Sequence, residues 1–189
     1  MYDMYMDKII IEPGTRGDLP EMESFFGTLF DYLESHINNT GWKRGSYPTA
    51  GDIESDIDGH TLFVARHGGM IIGSIVLDHI VEEGPGRVHW TVDADDHEVL
   101  SIHRLAVHPG YYQSGVASRL LAFTESFARA GKIKAIRLDV GEKNDAAIRL
   151  YEKNGYKYID TVDLGPAEYD LDLFRLYEKV LVRIGDNIV

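Results

Sequence analysis

The chain of 189 residues contains no cysteine. Disulfides, thiolate metal ligands and a covalent cysteinyl intermediate are thereby excluded. Long apolar runs are missing too, since none approaches the roughly 18 residues that a membrane helix needs. The opening residues, MYDMYMDKIIIEPG, carry acids where a secretory leader would carry a basic segment, so a soluble, cytoplasmic protein with no membrane partner is expected. Basic charge is scarce: 19 Lys and Arg stand against 31 Asp and Glu, a formal charge of −12. Such a surface repels a phosphate backbone and argues against nucleic acid as a partner. Repeats, linkers and low-complexity tracts are also lacking, and the length suits one sizeable core, so a single domain over residues 1–189 is expected. The acidic run Asp93, Asp95, Asp96 and Glu98 lacks the glycine and terminal glutamate spacing of a calcium loop, which leaves a solvated loop or an attraction for a cationic acceptor, and no metal.

What is present is an alternation of strand and helix signals. Residues 8 to 12 form a short apolar strand. Asp18, Pro20 and Glu21 open a helix carrying Met22, Phe25, Phe26, Leu29, Leu33 and Ile37 at helical spacing. Thr49 with Asp52 marks a second helix start, and residues 61–66 and 70–80 are strands joined by His67-Gly68-Gly69. Residues 82–97 read as an insertion, with a turn at Gly84-Pro85-Gly86 and a short extra strand at 88–92. The tail after Ile159, with Leu171, Leu173, Phe174, Leu176 and Val180, supplies a last strand expected to cover the sheet edge.

The stretch from Glu98 to Tyr158 is the richest. An apolar strand of Val99, Leu100, Ile102, Leu105 and Val107 stops at His108-Pro109-Gly110. Ser114-Gly115-Val116-Ala117-Ser118 then opens a helix whose apolar stripe is Val116, Leu120, Phe123, Phe127 and Ala130, ending at Gly131. Free N–H groups and the positive dipole end at such a start suit an anion, and small residues let a phosphate approach, although they also begin helices for packing reasons. Ile136, Leu138 and Val140 alternate with Arg137 and Asp139 as a strand, so strand, helix and strand imply a parallel crossover. Asn144 caps a further helix bearing Ala147, Ile148 and Tyr151, stopped at Asn154-Gly155. Within this acidic chain the segment is locally basic, which suits an anionic ligand or a solvated helix face.

In order and motif the chain resembles the GNAT (Gcn5-related N-acetyltransferase) superfamily. Gly115-x-Ala117 matches part of the family's phosphate turn, with Tyr112 where a Gln or Arg stands and Gln113 beside it. Asn144 to Tyr156 matches the second signature almost position for position. The resemblance implies an α/β GNAT-like fold, a mixed sheet of about seven strands flanked by about four helices, with the acetyl-CoA-binding core at about 98–158. It implies acetyl-CoA contacts from Leu105, Ala106, Val107, Gln113, Ser114, Gly115, Val116, Ala117, Ser118, Asn144 and Tyr151. The Tyr151 hydroxyl would face the CoA sulfur and protonate it, and a main-chain N–H near Leu105 would meet the developing oxyanion.

The acceptor of this chemistry is an amine, and one with a pKa of ~10.4 is neutral in only about one molecule in 2,500 at pH 7. A base is therefore useful. His103 on the central strand and Glu98 at its start are the candidates, with water alone as a third; a histidine at the His103 position resembles that of arylalkylamine N-acetyltransferases. Trp42, Tyr47 and Trp90 are candidate acceptor-binding aromatics. The reading is an N-acetyltransferase acting on a small-molecule or peptide amine, with a homodimer left open. The alternative is a non-catalytic acyl-CoA-binding regulatory module, which would have no need of a proton donor at position 151.

Overall fold

The computed structural model describes residues 9–81, 88–164 and 173–181. In chain order these form β1 (Ile10–Pro13), α1 (Leu19–Ser35), α2 (Ala50–Asp58), β2 (Leu62–His67), β3 (Met70–Asp78), β4 (Val99–Val107), α3 (Val116–Ala130), β5 (Ala135–Gly141), α4 (Asp145–Lys153), β6 (Lys157–Val162) and β7 (Phe174–Val180). The strands make a seven-stranded sheet in the order β1-β2-β3-β4-β5-β7-β6. It is mixed: β4 and β5 run parallel, whereas the β1–β2, β2–β3, β5–β7 and β6–β7 pairs are antiparallel. Contacts divide the chain into two compact units, one ending at Leu77 but including Arg104–Leu120, the other running from Asp78 to His103 and from Leu121 onward.

In the first unit, α1 buries Met22, Phe25, Phe26, Leu29, Phe30 and Leu33. They pack with Ile53 and Ile57 of α2 and with Leu62, Val64, Ile71 and Val76 of β2 and β3. The start of α2 is fixed as its sequence implies: the Thr49 hydroxyl accepts from the Asp52 N–H at 3.2 Å, and the Asp52 carboxylate accepts from the Thr49 N–H at 2.7 Å. Arg66 ties β1 and α1 to β2 through Glu12 and Glu21, each at 2.8 Å, and through Asp18. Gly73 of β3 seats the start of α3. A Cβ there would stand 2.9 Å from Val116 Cγ1 and 3.1 Å from the Ala106 carbonyl oxygen, so any side chain would push the helix off the strand.

The stripe expected on α3 is rotated. Val116, Leu120, Leu121, Thr124 and Ala128 are buried, while Phe123 is half-buried, Ala130 is exposed and Phe127 is exposed. Steps of four select the small Thr124 and Ala128 for the inner face, and Phe123 stacks on Phe127 outside it at 6.0 Å.

In the second unit, the tail strand does not cover an edge as expected. β7 inserts between β5 and β6, pairing with β5 from Ala135↔Val180 to Gly141↔Phe174, and β6, which the sequence reading passed over, becomes the edge. Residues 88–92 form no strand either. Side chains hold the segment instead: the Thr91 N–H donates to Glu178 at 3.0 Å, Arg137 donates to the Val92 carbonyl at 2.7 Å, and the Arg137 guanidinium lies 4.2 Å from the centre of the Trp90 ring. Val88 is buried with Val162 and Leu176. The turn expected at Gly84-Pro85-Gly86, and Leu171, lie outside the described residues.

Arg137 and Glu178 form a buried ion pair at 3.0 Å, with side chains 6 % and 0 % exposed. Removing one partner strands a charge in the interior. Glu178→Ala should therefore destabilise by about 3–5 kcal/mol in urea unfolding, whereas the double change Arg137→Met with Glu178→Leu should recover most of that loss. A single variant within about 1 kcal/mol of the parent would show that the pair does not anchor this face.

Candidate active site

The first unit supplies a helix start. Downstream of β4, Gln113 and Gly115 take positive φ values of 60° and 87°, the region that glycine tolerates best. The Gly115 carbonyl accepts the Arg119 N–H at 3.0 Å. No atom lies within 4 Å of where a Gly115 Cβ would be, so the approach to the first turn of α3 is open. Ser114 and Gly115 are exposed, Val116 is buried, and Ala117 and Ser118 are half-buried. First-turn N–H groups face outward by helix geometry, and this cradle fits a phosphate. Arg119, exposed on that turn, has no carboxylate partner among the described residues. Tyr112 packs edge to face on Tyr32 at 5.1 Å; burial, and then Tyr32, push its hydroxyl pKa up to about 12.

Upstream, the central strand runs on from Val99 to Val107 but is distorted at one residue. Arg104 has φ 47° in the middle of β4, and the β4–β5 ladder ends two residues earlier, at Ile102↔Leu138. Arg104 is held in that conformation by both carboxylate oxygens of Asp56, one at 2.8 Å, and by the Tyr47 hydroxyl at 2.7 Å. Leu105, Ala106 and Val107 follow the break. In the second unit, His103 and Asp139 are the first residues beyond the last paired step, where the strands part.

His103 is held by two acceptors. Its Nε2 lies 3.1 Å from Asp78 Oδ1 and 3.1 Å from the Ile80 carbonyl oxygen. Both are acceptors, so Nε2 carries hydrogen and the lone pair of the neutral ring falls to Nδ1. Burial alone would depress the imidazole, but the hydrogen bond and charge of Asp78, with the charge of Asp139, raise its pKa above the ordinary 6.5. Glu98 is placed differently. Its carboxylate holds Lys134 at 2.7 Å and accepts from the Asp95 N–H at 3.2 Å. Those contacts lower its pKa from the ordinary 4.5, Lys134 first, and make it the weaker base.

On α4, the Asn144 side chain caps the helix, its Oδ1 accepting from the Ala147 N–H at 3.2 Å. Tyr151 is 6 % exposed and packs on Tyr156 and Tyr177, with ring centres 5.7 Å and 6.4 Å away. Burial, and then the charge of Asp139, raise its pKa above the ordinary 10.0, so the hydroxyl keeps its proton through the neutral range. It has no hydrogen-bond partner among the described residues.

The acetyltransferase (GNAT) family model matches residues 28–156, the span that carries the distorted strand, the glycine-bearing helix start and the capped Asn/Tyr helix. The chain belongs to the GNAT acetyltransferase family. It is 31% identical over 116 residues to an acetyltransferase of Pectobacterium atrosepticum, covering 60% of this chain and 71% of that one, and equally to an uncharacterized N-acetyltransferase of Yersinia pestis. In fold this GNAT chain is similar to a GNAT-family acetyltransferase of Streptococcus agalactiae, with TM-score 0.70 and 21% identity over 95% of this chain and 99% of that one. It is also similar to yncA of Salmonella typhimurium, solved with its cofactor acetyl-CoA, with TM-score 0.69 and 13% identity over 97% and 99%. Among the described residues no helix is long and apolar enough to cross a membrane.

The candidate aromatics each make packing contacts within this GNAT chain. Trp42 packs against the first core with Tyr47 at its edge, 6.3 Å away, and Trp90 carries Arg137 on its face. The local positive charge is largely neutralised, since Arg104, Arg129, Lys134 and Arg137 each pair with a carboxylate. Sequence reasoning missed Asp78 and Asp139. The only local signal was a charged pair, Arg137 and Asp139, alternating with apolar residues on a buried strand. If Asp78 holds the imidazolium, Asp78→Asn should lower the His103 pKa measured by NMR titration of its ring protons. A pKa unchanged by the substitution would remove Asp78 as the orienting group.

Proposed function

We propose that the chain is an N-acetyltransferase, one domain that transfers acetyl from acetyl-CoA to a primary amine by direct attack. The observation that carries the amine is His103, a base oriented by a carboxylate at the point where the central strands part. Acetyl-CoA is the donor substrate. Its pyrophosphate would take the first-turn N–H groups from Gly115 to Ser118, with Gln113 beside them and Arg119 as the nearby cation. Its pantetheine would run along the backbone of Leu105, Ala106 and Val107, and Asn144 would contact it while capping α4.

The proton accounting then follows from the residues. His103 Nδ1 removes one proton from the ammonium, and the neutral nitrogen attacks the thioester carbonyl. The N–C bond forms and the C–S bond breaks. Tyr151 gives its proton to the departing sulfur and regains one from solvent, while the surplus proton on the new amide nitrogen leaves to solvent. The products are an N-acetyl amine, CoA thiol and an imidazolium that discharges to water. Burial that raises Tyr151 also raises the proton affinity of a thiolate beside it, so the transfer is not opposed by the full difference between the two groups in water.

Release of CoA thiol, followed over a panel of amines, amino acids, aminoglycosides and peptides, tests the reading directly. Tyr151→Phe should lower turnover by roughly 100-fold or more with acetyl-CoA binding nearly unchanged, the signature of a contact made in the transition state. Wild-type turnover in that variant would unseat Tyr151. Acetyl-CoA at millimolar concentration should raise the thermal midpoint, and Gly115→Asp, which sets a carboxylate in the cradle, should abolish the rise. The absence of any rise in the parent protein would overturn the donor assignment.

A further inference from the structure

Among the described residues, His60, Arg104, Gln113 and Lys132 are the non-glycine positions with positive φ. His60, Gln113 and Lys132 stand in turns, where such a backbone is common. Arg104 lies inside a strand, with β4 continuing on both sides of it. A side chain resists that conformation because its Cβ crowds the backbone, so a group outside the strand must hold it. The hold comes from α2 and from the segment before it. Arg104 donates to both oxygens of Asp56, one at 2.8 Å, and from its remaining nitrogen to the Tyr47 hydroxyl at 2.7 Å. The Tyr47 ring centre is 5.6 Å from the guanidinium carbon. The Arg104 and Asp56 side chains are 17% and 10% exposed. Asp56 is itself fixed by the chain on either side, since α2 begins at the Thr49 cap and the Asp56 carbonyl accepts the Thr61 N–H at 2.9 Å.

We propose that Asp56 and Tyr47 are positioning residues for the donor: by clamping Arg104 they hold its backbone in the left-handed region and so fix the course of Leu105, Ala106 and Val107. The inference rests on the donor reading above, in which pantetheine runs along those three residues, and adds what keeps them in place. In an extended strand successive residues turn to opposite faces. One left-handed residue interrupts that alternation and re-aims the backbone groups that follow, as a bulge does. Such a conformation persists only while its surroundings over-determine it. With the clamp removed, an ordinary residue at position 104 relaxes toward the extended region, and the donor must then reorganise the strand on binding, at a cost in affinity. Asp56 and Tyr47 act through Arg104 and need no contact with acetyl-CoA.

Arg104→Ala and Arg104→Gly separate this from a merely structural role. Both remove the same contacts to Asp56 and Tyr47, and they differ in that glycine tolerates φ 47° whereas alanine does not. Measured by calorimetry, acetyl-CoA should bind Arg104→Ala roughly tenfold more weakly than the parent, and Arg104→Gly roughly fivefold more tightly than Arg104→Ala. An ion pair that served stability alone gives the opposite order, because glycine weakens a strand more than alanine does. Asp56→Asn and Tyr47→Phe should weaken binding in the parent by roughly tenfold and threefold, and by less than about twofold when added to Arg104→Gly, where nothing remains to be clamped. The amide NMR signals of Leu105, Ala106 and Val107 should shift with acetyl-CoA in the parent and in Arg104→Gly. Equal affinity in the two Arg104 variants, or an undiminished effect of Asp56→Asn on the glycine background, overturns the positioning role and leaves the donor site standing. Should Arg104→Ala not fold, Tyr47→Phe alone and on the glycine background makes the same comparison. A parent protein that does not bind acetyl-CoA overturns the donor reading, and the positioning role falls with it.

Discussion

The backbone break at Arg104 is the constraint on which the site depends. A φ of 47° at a non-glycine residue costs on the order of 1–2 kcal/mol. It persists because the guanidinium is gripped by both oxygens of Asp56 and by the Tyr47 hydroxyl. An extended strand would continue its parallel ladder past Ile102 and consume the backbone groups of the following residues. Breaking it there leaves His103 as the last residue of one run and Leu105 as the first of the next. On the side of β5 the pairing reaches Ile102↔Leu138 and no further, so His103 and Asp139 follow directly on a rigid ladder.

Much of the fold was legible because its signals are local. Thr49 with Asp52, His67-Gly68-Gly69 and Asn144 each act within a few residues, and each forms the cap or hairpin its chemistry dictates. The stripe on α3 was misplaced because large apolar residues were preferred to Thr124 and Ala128, whereas close seating on a strand favours small ones. The positions of β7 and of residues 88–92 depend on partners far along the chain. Glu178 takes the Thr91 N–H and Arg137 takes the Val92 carbonyl, contacts across more than forty residues that no spacing rule encodes.

The same division runs through the site. Donor recognition is assigned to main-chain groups at a helix start and along a strand, and such features need small residues in fixed order, so Gly115, Ala117 and Asn144 could be read directly. The side chains around His103, by contrast, are brought together from different strands. Asp78 reaches His103 from the end of β3, and Asp139 approaches from β5. Two of the aromatic residues named as acceptor-binding candidates also pack on cations of the scaffold, Trp90 on Arg137 and Tyr47 on Arg104.

Asp139 joins the two halves of the proposed chemistry, since its charge is felt by both His103 and Tyr151 and raises both pKa values. The effect on the base cuts two ways. A higher imidazole pKa leaves less of the ring unprotonated at neutral pH, yet each unit of increase brings it about 1.36 kcal/mol closer to an amine near 10.4, which it must deprotonate. Below its own pKa the two effects nearly cancel, and above it the gain in driving force stands alone. On the acid the effect has one direction, keeping the Tyr151 proton in place until a thiolate forms to take it. A single carboxylate on β5 therefore acts on both groups of the proposed chemistry, raising the imidazole and holding the phenol protonated.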